Sequence, residues 1–271
     1  MLGAIIGDIA GSRFEFDPTN DYNFELFTSQ CSYTDDTICT IAVADAILSE
    51  HNRQGQDIPY GEYIHRWCRK YPHPMGGYGI SFRKWEASDH PQPYNSFGNG
   101  AAMRVSPVAW FYPDSADVQK NAIGTARCTH NHPEGLKGAE AVAMTIHRAL
   151  EYKMSGQPLT QNDIDDALAR GWSMYPNMRQ LHLADHRNLF DETCQGTVPV
   201  ALKIVEESHS FEEAIRKAVS LGADADTLGA IVGSIAEAIW GIPEWMKEKA
   251  LTYLPEDMRK VLLDFRKACP A

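Results

Sequence analysis

Two short blocks hold the side chains best suited to chemistry: Thr34-Asp35-Asp36-Thr37 and Asp224-Ala225-Asp226-Thr227. Each combines two carboxylates with threonine hydroxyls, and each runs straight into an apolar helical pattern. Carboxylate and hydroxyl oxygens are the ligands that hard divalent cations prefer. If folding unites the blocks, their acids share one pocket and repel strongly unless cations hold them. The chemistry to expect is a two-metal site of the magnesium type. The plainer alternative makes Asp35, Asp36, Asp224 and Asp226 helix caps and first-turn acids, favoured there by free N–H groups and the macrodipole. A cap needs only one acid, however, and the flanking Tyr33, Gly222-Ala223 and Gly229-Ala230 do not look like surface.

Weaker signals lie between the blocks. Glu15, reached through Gly7-Asp8-Ile9-Ala10-Gly11-Ser12-Arg13-Phe14, would emerge just beyond a helix ending near Gly11; alone it reads as a solvated loop acid. Gly98-Asn99-Gly100 is a turn leading toward a helix, able to offer bare backbone N–H groups to an anion such as a diphosphate. It is equally a plain tight turn. Arg104 could serve an anionic ligand or pair with an acid. His130-Asn131-His132 forms an H-x-H pair, but zinc hydrolases need further ligands, and the remaining histidines lack ligand spacing. His132 or Asn131 would instead cap the helix that Pro133 opens. No Gly-x-Ser-x-Gly elbow, Walker A lysine or dinucleotide fingerprint is present.

The elements that must carry these residues are helical. Leu2, Ile5, Ile6 and Ile9 form one stripe of the first helix. Gly3, Gly7 and Gly11 form another, which would admit a neighbouring helix or ligand close to the backbone. Ile38, Ile41, Ala44, Ile47 and Leu48 mark a helix from Asp36 to Glu50. Ala139, Val142, Ala143, Ile146, Ala149 and Leu150 mark one from Pro133 to about Tyr152. Leu228, Ile231, Val232, Ile235 and Ile239 mark one from Asp226 to Trp240, stopped by Gly241 and Pro243. Alternating strand patterns are hard to find, and Tyr71 to Phe97, rich in Gly, Pro, His, Ser and aromatics, reads as a long irregular loop. With 271 residues and no linker, the expectation is one all-α domain over 1–271.

A net charge of −11 argues against a general nucleic-acid binder. No stretch approaches the roughly twenty apolar residues of a membrane span. Six cysteines without a C-x-x-C pair fit buried free thiols in a reducing compartment, and with no basic leader the default location is the cytoplasm.

Taken together, Gly7-Asp8 through Gly11 with Glu15, Tyr33–Thr37, Gly98-Asn99-Gly100 with Met103-Arg104, Thr129-His130 and Gly222–Thr227 make the chain resemble the ADP-ribosylglycohydrolase family. That family includes the dinitrogenase reductase-activating glycohydrolases. The motifs occur in family order from end to end. The resemblance implies a compact single-domain orthogonal helical bundle whose central cleft holds a dinuclear metal site. By resemblance, Thr34, Asp35, Asp36, Asp224, Asp226 and Thr227 are ligands of two Mg²⁺, for which Mn²⁺ could substitute. Gly98, Asn99 and Gly100 match the diphosphate cradle, His130 a histidine near the substrate, and Glu15 a glutamate near the ribose, implicated in catalysis or in gating the cleft. Ala223 departs from the Gly or Asp of many relatives. The region from Pro59 to Gln92 has no placed counterpart and is where leaving-group specificity would reside.

The implied activity is Mg²⁺-dependent cleavage of the glycosidic bond between ADP-ribose and a modified protein side chain, with arginine preferred. Asp35 is the expected general base and Glu15 its partner in orienting ribose or moving a proton. The expected partner is an ADP-ribosylated protein or an ADP-ribose derivative. Competing readings are a non-catalytic ADP-ribose binder, a toxin-neutralising immunity protein, and a hydrolase of a small derivative such as O-acetyl-ADP-ribose.

Overall fold

Every regular element among the described residues is helical; this computed structural model describes residues 1–50, 57–154 and 156–269. In chain order these are α1 (Leu2–Gly11), α2 (Asp35–Glu50), α3 (Tyr60–Lys70), α4 (Ile80–Ala87), α5 (Gly100–Met103), α6 (Ser106–Phe111) and α7 (Ser115–Arg127). Then follow α8 (Pro133–Lys153), α9 (Gln161–Met174), α10 (Cys194–Glu206), α11 (Phe211–Ser220), α12 (Ala225–Trp240), α13 (Glu244–Leu251) and α14 (Glu256–Ala268). An isolated antiparallel bridge joins Gly98 and Thr193, the one extended pairing among the described residues. The all-α expectation holds.

The pairing of α1 with α12 decides where the site forms. Gly3 lies against Gly233, Gly7 against Gly229, and Gly11 against Ala225. One series rises as the other falls, so the helices are antiparallel with backbones in direct contact. A Cβ built on Gly229 would stand 2.6 Å from the Gly7 carbonyl oxygen, which no side-chain adjustment can relieve. The glycine stripe therefore receives a helix, not a ligand. The close fit brings the C-terminal turn of α1 beside the N-terminal turn of α12. The latter is buried at every residue from Ala225 to Ala236, as befits a helix apolar on all faces.

The other helices shape this core much as their periodicity predicts. Ile38, Ile41, Ala44 and Ile47 of α2 are buried and Leu48 is packed at the edge. All six expected positions of α8 are buried. His132 caps α8, its Nδ1 accepting the Glu134 N–H at 3.1 Å, with Pro133 following in the first turn. Gly241 ends α12 at a φ of 73°. The six cysteines are unpaired; Cys31, Cys39, Cys68 and Cys194 are buried, Cys128 and Cys269 half-buried. No described helix is long and apolar enough to cross a membrane.

One expectation fails. The segment from Tyr71 to Phe97 is not irregular throughout, because α4 occupies Ile80–Ala87 and buries Phe82 and Trp85. These two aromatics, three positions apart, face the same side, and Trp85 also meets the His65 ring at 5.4 Å. Packing against α3 stabilises a short helix whose Gly- and Pro-rich surroundings predict none.

Candidate metal centre

Asp8, the only charged residue of α1, is wholly buried. Its Oδ2 accepts the backbone N–H of Thr34 at 3.0 Å and of Thr37 at 3.1 Å. The Thr34 hydroxyl donates to Oδ1 at 2.8 Å, and the Thr37 hydroxyl donates to Oδ2. A carboxylate from α1 thus satisfies the open N-terminus of α2. Just before α2 the Thr34 hydroxyl also accepts the Asp36 N–H at 3.3 Å. Capping is therefore done by Asp8 and Thr34, which frees Asp35 and Asp36 from that task. Asp224 sits at the N-cap position of α12 but makes no side-chain cap bond. Its Oδ2 instead accepts from the Asn99 side-chain amide at 2.7 Å.

The two blocks meet. The Thr227 hydroxyl donates to Asp36 Oδ2 at 3.1 Å. Asp8, Asp36 and Asp226, all buried, each present an oxygen within 4.8 Å of the others. Asp36 Oδ1 is buried with no hydrogen-bond partner, a cost of about 1–3 kcal/mol, more for an ionised group. Burial and the neighbouring Asp226 push the Asp8 carboxyl up to about 7. Burial first, then repulsion from Asp226, raises Asp36 and Asp224 well above the usual carboxylate range; burial, then Cys39 ahead of the other acids, does the same to Asp35, and burial raises Asp226. An all-oxygen donor set, an orphaned buried acceptor and uncompensated like charges fit a hard divalent cation.

Beside the acids opens a cleft of about 510 Å³, within the usual size for a small-molecule site. Asp35, Asp224, Asp226 and Thr227 form part of its wall, together with Glu15, Gly98, Asn99, Gly100 and His130. Glu15 is half-buried, and its Oε2 has no partner. Burial, then Asp226, Asp8 and Glu192, pushes its carboxyl up to about 8. Gly76, at a φ of 75°, lies where a Cβ would strike the Glu15 carboxylate. The loop before α4 is thereby brought against the acids.

The Gly98–Gly100 turn offers fewer bare donors than its sequence suggests. The Gly98 N–H is used by Ser96 Oγ at 3.1 Å and the Asn99 N–H by the Glu192 carbonyl at 2.7 Å. These bonds hold the turn to the segment preceding α10, so that Asn99 can reach both Asp224 and Thr197 Oγ1 (3.2 Å). Among the described residues Arg104 pairs with no acid; its Nη2 donates to the Thr125 carbonyl and to Thr129 Oγ1. Asp8 is the member of the acidic trio to which sequence reasoning assigned no role. Its signal was present: a lone carboxylate in an otherwise apolar helix. The described residues hold no metal-type cluster at His130 and His132, since Asp8, Asp36 and Asp226 are the group found.

Whole-chain comparisons place the fold among known proteins. A family model described as ADP-ribosylglycohydrolase matches residues 1–269. "ADP-ribosylhydrolase ARH3" of Homo sapiens is 26% identical, the alignment covering 95% of this chain and 90% of that protein. "ADP-ribosylarginine hydrolase Tri1" of Pseudomonas putida (strain GB-1) is 25% identical, over 97% of this chain and 76% of the other. A solved structure titled "ADP-ribosylglycohydrolase-related protein complex" superposes with a TM-score of 0.68 at 25% identity, covering 98% of this chain and 95% of that one. This chain belongs to the ADP-ribosylglycohydrolase family, hydrolases acting on glycosyl bonds.

Proposed function

We propose that the chain, working as one domain over residues 1–271, is a divalent-cation-dependent ADP-ribosylhydrolase that releases ADP-ribose from a modified protein side chain, arginine preferred. The observation carrying this reading is the buried convergence of Asp8, Asp36 and Asp226, the last of which lines the cleft. Asp36, Asp224 and Asp226 with Thr34, Asp35 and Thr227 would hold two Mg²⁺, or Mn²⁺, and Asp8 would keep the α2 end in place. Cations bound there would supply positive charge and Lewis acidity beside the ribose hydroxyls.

The residues then divide the work. Asp35, half-buried at the first turn of α2 and on the cleft wall, accepts a proton from the attacking water. Water oxygen bonds to the anomeric carbon as the carbon–nitrogen bond breaks, and the leaving guanidine takes up a proton. Glu15 orients the ribose or assists that transfer. Asn99 fixes Asp224, while Gly98, Gly100 and His130 border the rest of the ligand. An arginine acceptor is supported by the Pseudomonas putida relative, named an ADP-ribosylarginine hydrolase, and by the acids at the cleft wall.

The decisive experiment incubates the purified chain, with Mg²⁺, against a panel carrying arginine-linked, serine-linked and O-acetyl ADP-ribose. Release of ADP-ribose from the arginine linkage, abolished by chelator, is expected. Saturable binding without turnover would instead make the chain an ADP-ribose binder.

A further inference from the structure

Arg104 is a guanidinium buried to 0% exposure with no carboxylate partner among the described residues, a costly arrangement. Its Nε and Nη1 have no hydrogen-bond partner among the described residues. Only Nη2 is well placed: it donates to the Thr125 carbonyl at 2.8 Å and to Thr129 Oγ1 at 2.7 Å. The Thr129 hydroxyl lies in turn 2.7 Å from His130 Nδ1. Guanidinium, hydroxyl and imidazole thus form a chain ending at the cleft.

The direction of that chain follows from donor inventories. Arginine stays protonated and can only donate, so Thr129 Oγ1 must accept from it. Thr129 is wholly buried, and the strong acceptor for its hydroxyl proton is His130 Nδ1 at 2.7 Å; the adjoining Cys128 sulfur also meets the Thr129 hydroxyl but is a weak acceptor. Had Nδ1 carried the proton, the Thr129 hydroxyl would accept twice and its own proton would be left with only the Cys128 sulfur, a weak acceptor, in a buried setting. Burial, with Arg104 adding to it, holds the imidazole well below its ordinary pKa and hence neutral, with one proton to place. The other ring nitrogen faces the Gly98–Gly100 turn, where a Cβ on Gly100 would stand 3.2 Å from Nε2.

We infer that Arg104 and Thr129 are positioning residues which lock His130 in the tautomer protonated on Nε2, so that His130 presents an N–H donor to an acceptor oxygen of the substrate. This deepens the proposed function, on which the identity of that oxygen rests: a phosphate or ribose oxygen of ADP-ribose beside the turn. It also excludes the imidazole as a base from its Nε2 face. A neutral donor suits an anionic ligand without adding a titrating charge to a site dominated by carboxylates.

Nitrogen NMR of the full chain labelled with ¹⁵N-histidine reads the tautomer directly. The ten histidines are sorted by loss of one signal pair in His130→Gln. The expected result is protonated Nε2 and bare Nδ1 at His130. Thr129→Val should mix the two tautomers and weaken ADP-ribose binding about tenfold, and Thr129→Ser should restore both readings. A proton on Nδ1 in the parent chain, or unchanged His130 signals in Thr129→Val, overturns the inference. Should the valine variant fail to fold, the parent spectrum decides. Intact Nε2 protonation in a chain that does not bind ADP-ribose would support the lock while removing the proposed function.

Discussion

The Thr227 hydroxyl donates to Asp36 Oδ2 across 3.1 Å, although 191 positions separate the two residues. This bond joins the N-terminal turns of α2 and α12, and it occupies only one oxygen of Asp36. The other is left buried and unpartnered. The chain has thus folded two helix starts together around acceptors that its own donors do not satisfy.

Cation binding should show as stability. Mg²⁺ or Mn²⁺ at a hundredfold excess over Kd should stabilise the chelator-treated chain by roughly 2.7 kcal/mol, read as a rise in melting temperature. Calcium-free buffer with each metal alone gives the comparison. A melting temperature indifferent to all divalent cations would remove the metal centre.

Neutralising an acid separates ligand from cap. Asp36→Asn should weaken cation affinity by at least about 100-fold and abolish hydrolysis. In chelator the same variant should melt higher than the parent, because it relieves repulsion from Asp226 and Asp8. A cap would give the opposite sign, a loss of about 1 kcal/mol. Asp35 and Asp226 replaced together should leave helical circular dichroism intact while activity disappears.

Without cations, stability should fall as the solution becomes more alkaline. The Asp8 carboxyl is raised from 3.8 to about 7, and Glu15 from 4.5 to about 8. Below their ordinary values both groups are protonated in either state and cost nothing. Between there and about 8 the unfolded chain releases protons that the folded chain retains, so rising pH favours unfolding. Saturating Mg²⁺ should abolish this slope, since ligation requires ionised carboxylates. Urea melts from pH 4.5 to 8, with and without chelator, would expose a flat apo profile as the contrary result.

The glycine contact between α1 and α12 should tolerate no methyl group. Gly7→Ala places a Cβ on the Gly229 carbonyl, and two helix backbones would have to separate. A loss of about 3 kcal/mol or more is expected, accompanied by weaker cation binding as Asp8 and Asp226 move apart. Retained stability with retained affinity would mean that the helices can slide.

Gly76→Ala should act on function more than on stability. The residue is exposed on a loop at a φ of 75°, so strain costs about 1 kcal/mol. Its new Cβ would displace the Glu15 carboxylate. The expected outcome is a small change in Tm with kcat/KM lowered about tenfold or more; unchanged kcat/KM would free Glu15 of any role.

Local chemistry was legible in the chain itself. Apolar spacing marks α2, α8 and α12 to within a residue or so, because burial of one face repeats every 3.6 positions. The two acidic blocks, the Gly98–Gly100 turn and His130 were also evident as residue types. What periodicity misses is support from a distant neighbour. The α4 helix depends on packing beneath Phe82 and Trp85, and Asp8 gains its place only when α2 is laid across it. The donors of the Gly98–Gly100 turn look free until Glu192 and Ser96 use them.

Residue spacing alone thus marks α1, α2, α8 and α12, the two acidic blocks, and the three glycines that let two helices touch. Long-range packing settles which carboxylates share a pocket, which of them caps α2, and toward which atom the His130 relay points. Periodicity is written in residues a turn apart, whereas convergence depends on backbone contact between α1 and α12, more than two hundred positions apart along the chain.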